Sequence, residues 1–123
     1  MRRISTALFA VAALGLAPGQ ALAQQATMHV KPKSVHAGER VRVFGSAGGC
    51  MPGEQVTLLS RAFPKTHEFA GVPAVFVKVG PQGNYSRRVR IPKTKKPKRY
   101  RISGRCGGGN LGVSRRVRVL PPL

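Results

Sequence analysis

From about residue 27 onward, glycine, proline or asparagine interrupts the chain about every eight to fifteen residues. Between these breaks no segment sustains a helical period. Apolar and basic residues instead alternate with a period of two, the pattern of a strand with one face buried. This punctuation excludes helical bundles and doubly wound α/β folds, which need runs of ten residues or more at the helical repeat. It predicts an all-β domain of short strands.

Seven strands are expected, over 27–31, 40–46, 55–60, 74–79, 85–91, 99–106 and 112–120. Seven strands at this spacing form the pattern of an immunoglobulin-like β-sandwich. The alternation assigns faces. Val41 and Val43 oppose Arg40 and Arg42; Val89 and Ile91 oppose Arg88 and Arg90. Tyr100, Ile102, Gly104 and Cys106 oppose Arg99, Arg101 and Arg105, and Val113, Val117 and Val119 oppose Arg116 and Arg118. In 74–79, Phe76 is expected to point outward. Arg87 and Arg115 fall on the apolar phase, and strand ends or a bulge are expected to release them. In a sandwich of this kind the second and fifth strands pair in one sheet, and the sixth and seventh in the other. Arg40, Arg42, Arg88 and Arg90 then share one outer face. Arg99, Arg101, Arg105, Arg116 and Arg118 share the other.

The amino terminus reads differently. Met1-Arg2-Arg3 is a basic head, 4–16 is an uncharged apolar run, and Ala21-Leu22-Ala23 supplies small residues at a cleavage position. That is the pattern of a secretory signal over 1–23, and the run is too short to span a bilayer. The mature domain is expected to be 24–123, secreted and released or held non-covalently at the cell surface. Losing Arg2 and Arg3 lowers the formal charge from +19 to +17, against only Glu39, Glu54 and Glu68 as acids. Such a chain repels itself and is drawn to condensed anions. The two cysteines, Cys50 and Cys106, both lie in the exported part, where an even pair reads as a disulfide. His29, His36 and His67 have no ligand spacing to either cysteine, so no metal site is expected.

Strand order sorts the loops to two ends. One end gathers 48–52, 81–84 and 107–110, rich in glycine, which can form tight turns or an anion-binding nest. The other gathers Lys31 and Lys33, Arg61 and Lys65, and Lys93, Lys95, Lys96 and Lys98, a basic pole built from three loops.

These segments resemble a family. Val35-His36-Ala37-Gly38-Glu39-Arg40-Val41-Arg42-Val43 looks like the opening strand motif of bacterial secreted immunoglobulin-like domains of the actinobacterial type. Gly49-Cys50-Met51-Pro52-Gly53-Glu54-Gln55-Val56-Thr57-Leu58-Leu59-Ser60 is similar to their second strand pair, and Gly83-Asn84-Tyr85 to their turn. Tyr100-Arg101-Ile102-Ser103-Gly104-Arg105-Cys106-Gly107-Gly108-Gly109-Asn110 is similar to their closing motif. The likeness covers about residues 28–120. It implies the sandwich and the disulfide, and it says almost nothing of function. Positions commonly acidic or small in such domains are Arg or Lys in this chain.

No catalytic residue and no cofactor is expected. The chain has no aspartate, its three glutamates are scattered among turns, and His67 beside Glu68 makes no constellation. His29 and Met28, adjacent on a strand, point to opposite faces and cannot chelate copper together. Three binding roles remain, in this order. The first is electrostatic attachment to an anionic envelope polymer or a membrane surface. The second is extracellular nucleic-acid binding, for which few aromatics are free to stack on bases. The third is a protein partner at an exposed apolar patch of Phe63, Phe69 and Phe76.

Overall fold

A computed structural model describes residues 25–123; the expected signal segment 1–23 lies outside them. Among the described residues the fold is all-β, with nine strands in two sheets and one disulfide. They are β1 (His29–Lys31), β2 (Ser34–His36), β3 (Arg40–Ser46), β4 (Gln55–Leu59), β5 (Glu68–Phe69), β6 (Val72–Lys78), β7 (Asn84–Arg90), β8 (Lys98–Cys106) and β9 (Gly109–Leu120). The smaller sheet has the order β1-β3-β7, and the larger β2-β9-β8-β4-β6-β5. No helix among these residues is long and apolar enough to cross a membrane.

The expected count of seven strands is corrected to nine. The additional pair are β2, which runs parallel to β9, and β5, which forms a hairpin with β6. Both are too short, at three and two residues, for a period of two to show in sequence. The last strand also begins earlier than expected, at Gly109. Gly107-Gly108 is the two-residue turn of the β8–β9 hairpin, with Cys106 opposite Gly109. Gly107 has φ 58°, the left-handed conformation that such a turn demands. The glycine run that could have been an anion nest is thus a hairpin turn, and Arg105 donates to the Gly108 carbonyl at 3.3 Å.

The strand pairings on which the surface depends are present: β3 with β7, and β8 with β9. Both sheets contribute to one core. Val41, Val43 and Val89 come from the smaller sheet; Val56, Leu58, Ile102, Val117 and Val119 come from the larger. Alternation then fixes the outer faces, because a residue between two buried neighbours on a strand points away from the core.

Of the two arginines on the apolar phase, Arg115 escapes beside a strand irregularity as expected, whereas Arg87 escapes by another route. Neither lies at a strand end. Arg87 is opposite the buried Val43 in mid-β7, but β7 is the edge of its sheet, so the side chain leaves sideways. Its Nη1 donates to the Phe76 carbonyl of β6 at 2.9 Å and ties the two sheets. Arg115 lies opposite Ile102 next to a register shift between Ser103 and Arg105, and it is exposed. Gly104 sits at that irregularity. A Cβ there would come within 2.6 Å of Leu111 Cδ1, so the missing side chain makes room for Leu111.

Tyr85 lies in the core, where it reaches from β7 past Gly45 of β3 to the segment before β1. It is 2% exposed, and its hydroxyl donates to the Thr27 carbonyl at 2.8 Å. Burial pushes its phenol up to about 12, with the Arg115 charge pulling weakly the other way. The folded chain therefore holds this proton more tightly than the unfolded chain. The resulting stability is fully present below about pH 10 and is lost as pH rises through about 12, by about 1.4 kcal/mol per pH unit in between. Urea midpoints measured across this window should fall, and Tyr85→Phe should remove most of the slope.

Candidate anion-binding surfaces

The smaller sheet carries the most ordered array of charge. Cross-strand register sets Lys31 beside Arg42 and Arg42 beside Arg88, a row of three cations over all three strands. The next row sets Arg40 beside Arg90. All five side chains are exposed. Strand geometry spaces them about 5 Å apart across strands and about 7 Å apart along them. The third row is His29, Phe44 and Ser86.

Several of these cations are held in direction. Arg42 Nε donates to Ser86 Oγ at 2.9 Å, and its guanidinium lies 4.4 Å from the Phe44 ring centre. Lys31 Nζ lies 6.0 Å from the same centre, and the His29 ring packs tilted on Phe44 at 5.2 Å. Arg90 donates to the Gly38 carbonyl at 2.7 Å. Lys31, Pro32, Arg40, Val41, Arg42 and Arg88 line a broad depression of about 580 Å³ on this face.

The larger sheet repeats the motif. Arg99 lies opposite Arg118, and Arg101 opposite Arg116, all four exposed. Arg105, expected on the same face, is not free there. It is half-buried, its guanidinium lies 5.0 Å from the Phe69 ring centre, and its Nε is buried without a hydrogen-bond partner. Phe69 reaches it from the β5–β6 hairpin, which the alternation could not foretell.

The basic pole divides. Arg61, Lys65, Lys95 and Lys96 come together around one cleft of about 400 Å³, with Glu68, Thr94 and Tyr100 also lining it. Partial burial, and secondarily the charge of Lys65, hold the Lys95 amine below the ordinary lysine range. Lys98 Nζ lies 5.2 Å from the Tyr100 ring centre, and Lys98 lines a second groove with Arg61, Arg99 and Arg101. Lys93 lies along Gly38. Lys31 belongs to the smaller-sheet face, and Lys33 to the β1–β2 connection, where its carbonyl accepts from Arg118 N at 2.9 Å.

The acids are mostly spent on turns. Glu39 Oε1 accepts from His36 N at 3.0 Å, and Glu54 Oε1 from Met51 N at 2.7 Å. Cys50, Glu54 and Cys106 lie close together, but both sulfurs are consumed by the Cys50–Cys106 disulfide, which leaves no thiolate to hold a metal.

The expected apolar patch does not assemble. Phe63 is fully buried, Phe69 is 40% exposed, and Phe76 is half-buried with the His67 ring tilted on it at 5.4 Å. Phe63 turns inward because Ser60 organises the loop. Ser60 Oγ accepts from Ala62 N and the Ser60 carbonyl from Phe63 N, each at 3.1 Å.

No protein-family model and no curated protein matches this chain. Among solved structures, it is similar to an alkylpurine DNA glycosylase of Pseudomonas fluorescens bound to DNA containing an abasic site analog. The identity is 21% and the TM-score 0.47, over 79% of this chain and 31% of that one. It is also similar to WR4, a C. elegans MSP family member, at 11% identity and TM-score 0.38, over 76% of this chain and 96% of that one. The chain thus spans about a third of the glycosylase's length.

Proposed function

We propose that this chain is a secreted, non-enzymatic, immunoglobulin-like binding module that attaches by charge to an anionic polymer or anionic lipid head groups of the cell envelope. The observation that carries the reading is the set of like-charge cross-strand pairs: Arg40 with Arg90, Arg42 with Arg88, Lys31 with Arg42, Arg99 with Arg118 and Arg101 with Arg116. Like charges directly opposite each other destabilise a sheet. Charged side chains are useful on edge strands, where they prevent sheet-to-sheet aggregation. Edge protection does not account for Arg40 and Arg42, which lie on the central strand of the smaller sheet, or for Arg99 and Arg101, which lie inside the larger one. A polyanion laid over these rows would relieve the repulsion, and the preset directions of Arg42 and Arg90 lower the ordering cost of binding.

The immunoglobulin-like assignment draws support from the β3–β7 and β8–β9 pairings and from the disulfide between the β3–β4 connection and the end of β8. Export draws support from that disulfide, which persists in oxidising compartments. A nucleic-acid partner has one feature in its favour, the partly exposed Phe44 among cations, which could stack on a base.

The test is co-sedimentation of residues 24–123 with the producing cell's own envelopes across a salt series. The variant Arg40→Gln/Arg42→Gln/Arg88→Gln/Arg90→Gln should bind about a hundredfold more weakly at low salt, given about 1 kcal/mol per basic residue at an anionic surface and incomplete additivity. Its unfolding midpoint should stay level or rise, because four repelling charges are gone. Equal envelope binding by the variant, or none by the parent at low salt, would sink the proposal. Preferential competition by single-stranded DNA would move it to nucleic acid.

A further inference from the structure

The flat arginine rows suit an extended polyanion, whereas the cleft of the basic pole is concave and carries both signs of charge. We propose that the cleft between the 61–71 and 92–98 segments binds a zwitterionic phosphate ester of the phosphoethanolamine type, with its phosphate among Arg61, Lys65, Lys95 and Lys96 and its ammonium against Glu68. The proposal rests on the anion-binding reading for its direction and deepens it at the pole, using residues outside the arginine rows.

Four observations carry it. The cleft holds about 400 Å³ and draws its cations from two loops distant in sequence, so that they converge only in the folded chain. Lys95 is partly buried beside the other cations. Its amine is held below the ordinary range by that burial and by Lys65; a bound phosphate would offset both effects. The frame is fixed: Tyr100 is 7% exposed and donates its hydroxyl to the Lys96 carbonyl at 2.7 Å, while Glu68 is paired with Pro73 in the β5–β6 hairpin.

The carboxylate chooses the ligand class. Glu68 lines a cleft that is otherwise basic. A purely anionic ligand would meet its repulsion, but a phosphate with an ammonium a short link away places one charge on each. Phosphoethanolamine occurs as a lipid head group and as a soluble or polymer-attached ester, and the recognising chemistry is the same.

The experiment titrates residues 24–123 with O-phosphoethanolamine, and separately with inorganic phosphate, at low salt and follows backbone amide shifts. Phosphoethanolamine should bind more tightly than phosphate and should shift amides in 61–71 and 92–98. Lys65→Gln/Lys95→Gln should weaken both ligands at least tenfold with the rest of the amide spectrum unchanged. Glu68→Gln should weaken phosphoethanolamine and strengthen phosphate, a crossing that a bare basic patch cannot give. The four-arginine variant of the smaller sheet should bind phosphoethanolamine as the parent does.

Equal affinity for the two ligands, Glu68→Gln strengthening both, or loss of phosphoethanolamine binding in the four-arginine variant would each overturn the proposal. Binding to phosphatidylethanolamine vesicles that Lys65→Gln/Lys95→Gln abolishes would assign the cleft to the lipid. Binding of the soluble ester without vesicle binding would assign it to a free or polymer-attached ester. If envelopes bind but phosphoethanolamine does not, the cleft proposal falls and the sheet-face reading stands.

Discussion

Replacing Cys50 and Cys106 together by alanine is expected to destabilise the domain by about 4 kcal/mol, from the chain-entropy cost of a loop closed by residues 56 apart in sequence. That is a large share of the stability of a domain of this size. The bond anchors the β3–β4 connection to the end of β8, at an end of the molecule otherwise tied by backbone bonds such as Ala47 N to the Gly83 carbonyl and Gly53 N to the Val79 carbonyl, both 2.8 Å. The reduced, unfolded chain is expanded further by its own positive charge, so the constraint acts on an ensemble with more freedom to lose. Urea is the denaturant to use, since guanidinium salt would screen the charge and hide part of the effect. The melting temperature should fall by about 15–30 °C. A change below about 1 kcal/mol would place the stability of the glycine-rich end in its backbone bonds and make the disulfide incidental.

Phe63→Ala is expected to cost about 3–5 kcal/mol. Phe63 has no exposed surface and heads the fully buried side chains by volume. It enters the core from the connection after β4, between the buried Ala62 and the half-buried Pro64, so removing the ring leaves a cavity that fixed strands on both sheets cannot fill. Ser60, itself 2% exposed, holds the turn: its N–H donates to the Pro73 carbonyl at 3.1 Å, its hydroxyl accepts from Ala62 N, and its carbonyl accepts from Phe63 N. Phe63→Leu should lose only part of that stability, because it retains most of the apolar volume. Denaturation in urea with an unchanged m-value checks this. A loss below about 1 kcal/mol would mean that the ring does not occupy the core in solution.

The contrast between Phe63 and Phe76 shows how far sequence reasoning reaches. Phe76 sits within an alternating run, and period two placed it on the outward phase, where it is half-buried under His67. Phe63 sits in a connection with no period, where a phenylalanine offers no directional signal. A serine two to three residues ahead of an Ala-Phe pair was the available clue, because Ser side chains bond nearby backbone groups in turns.

Residue order alone was enough for the all-β class, the approximate positions of seven of the nine strands, the buried faces of β3, β7, β8 and β9, and most of the arginines on their outer faces. It could do so because side chains alternate strictly along a strand, so buried valines dictate where the intervening arginines point. The Cys50–Cys106 pairing followed from having only two cysteines. Tertiary structure decided what depends on neighbours distant in the chain. It added the short strands β2 and β5, which exist only because β9 and β6 are there to pair with. It drew Arg105 under Phe69 and Phe63 into the core. It also split the basic pole, bringing Arg61, Lys65, Lys95 and Lys96 to one cleft with Glu68 and leaving Lys31 and Lys93 elsewhere. Charge count and strand order place basic loops at one end, but which lysines converge is set by how two loops fold over Tyr100, and no local period encodes that.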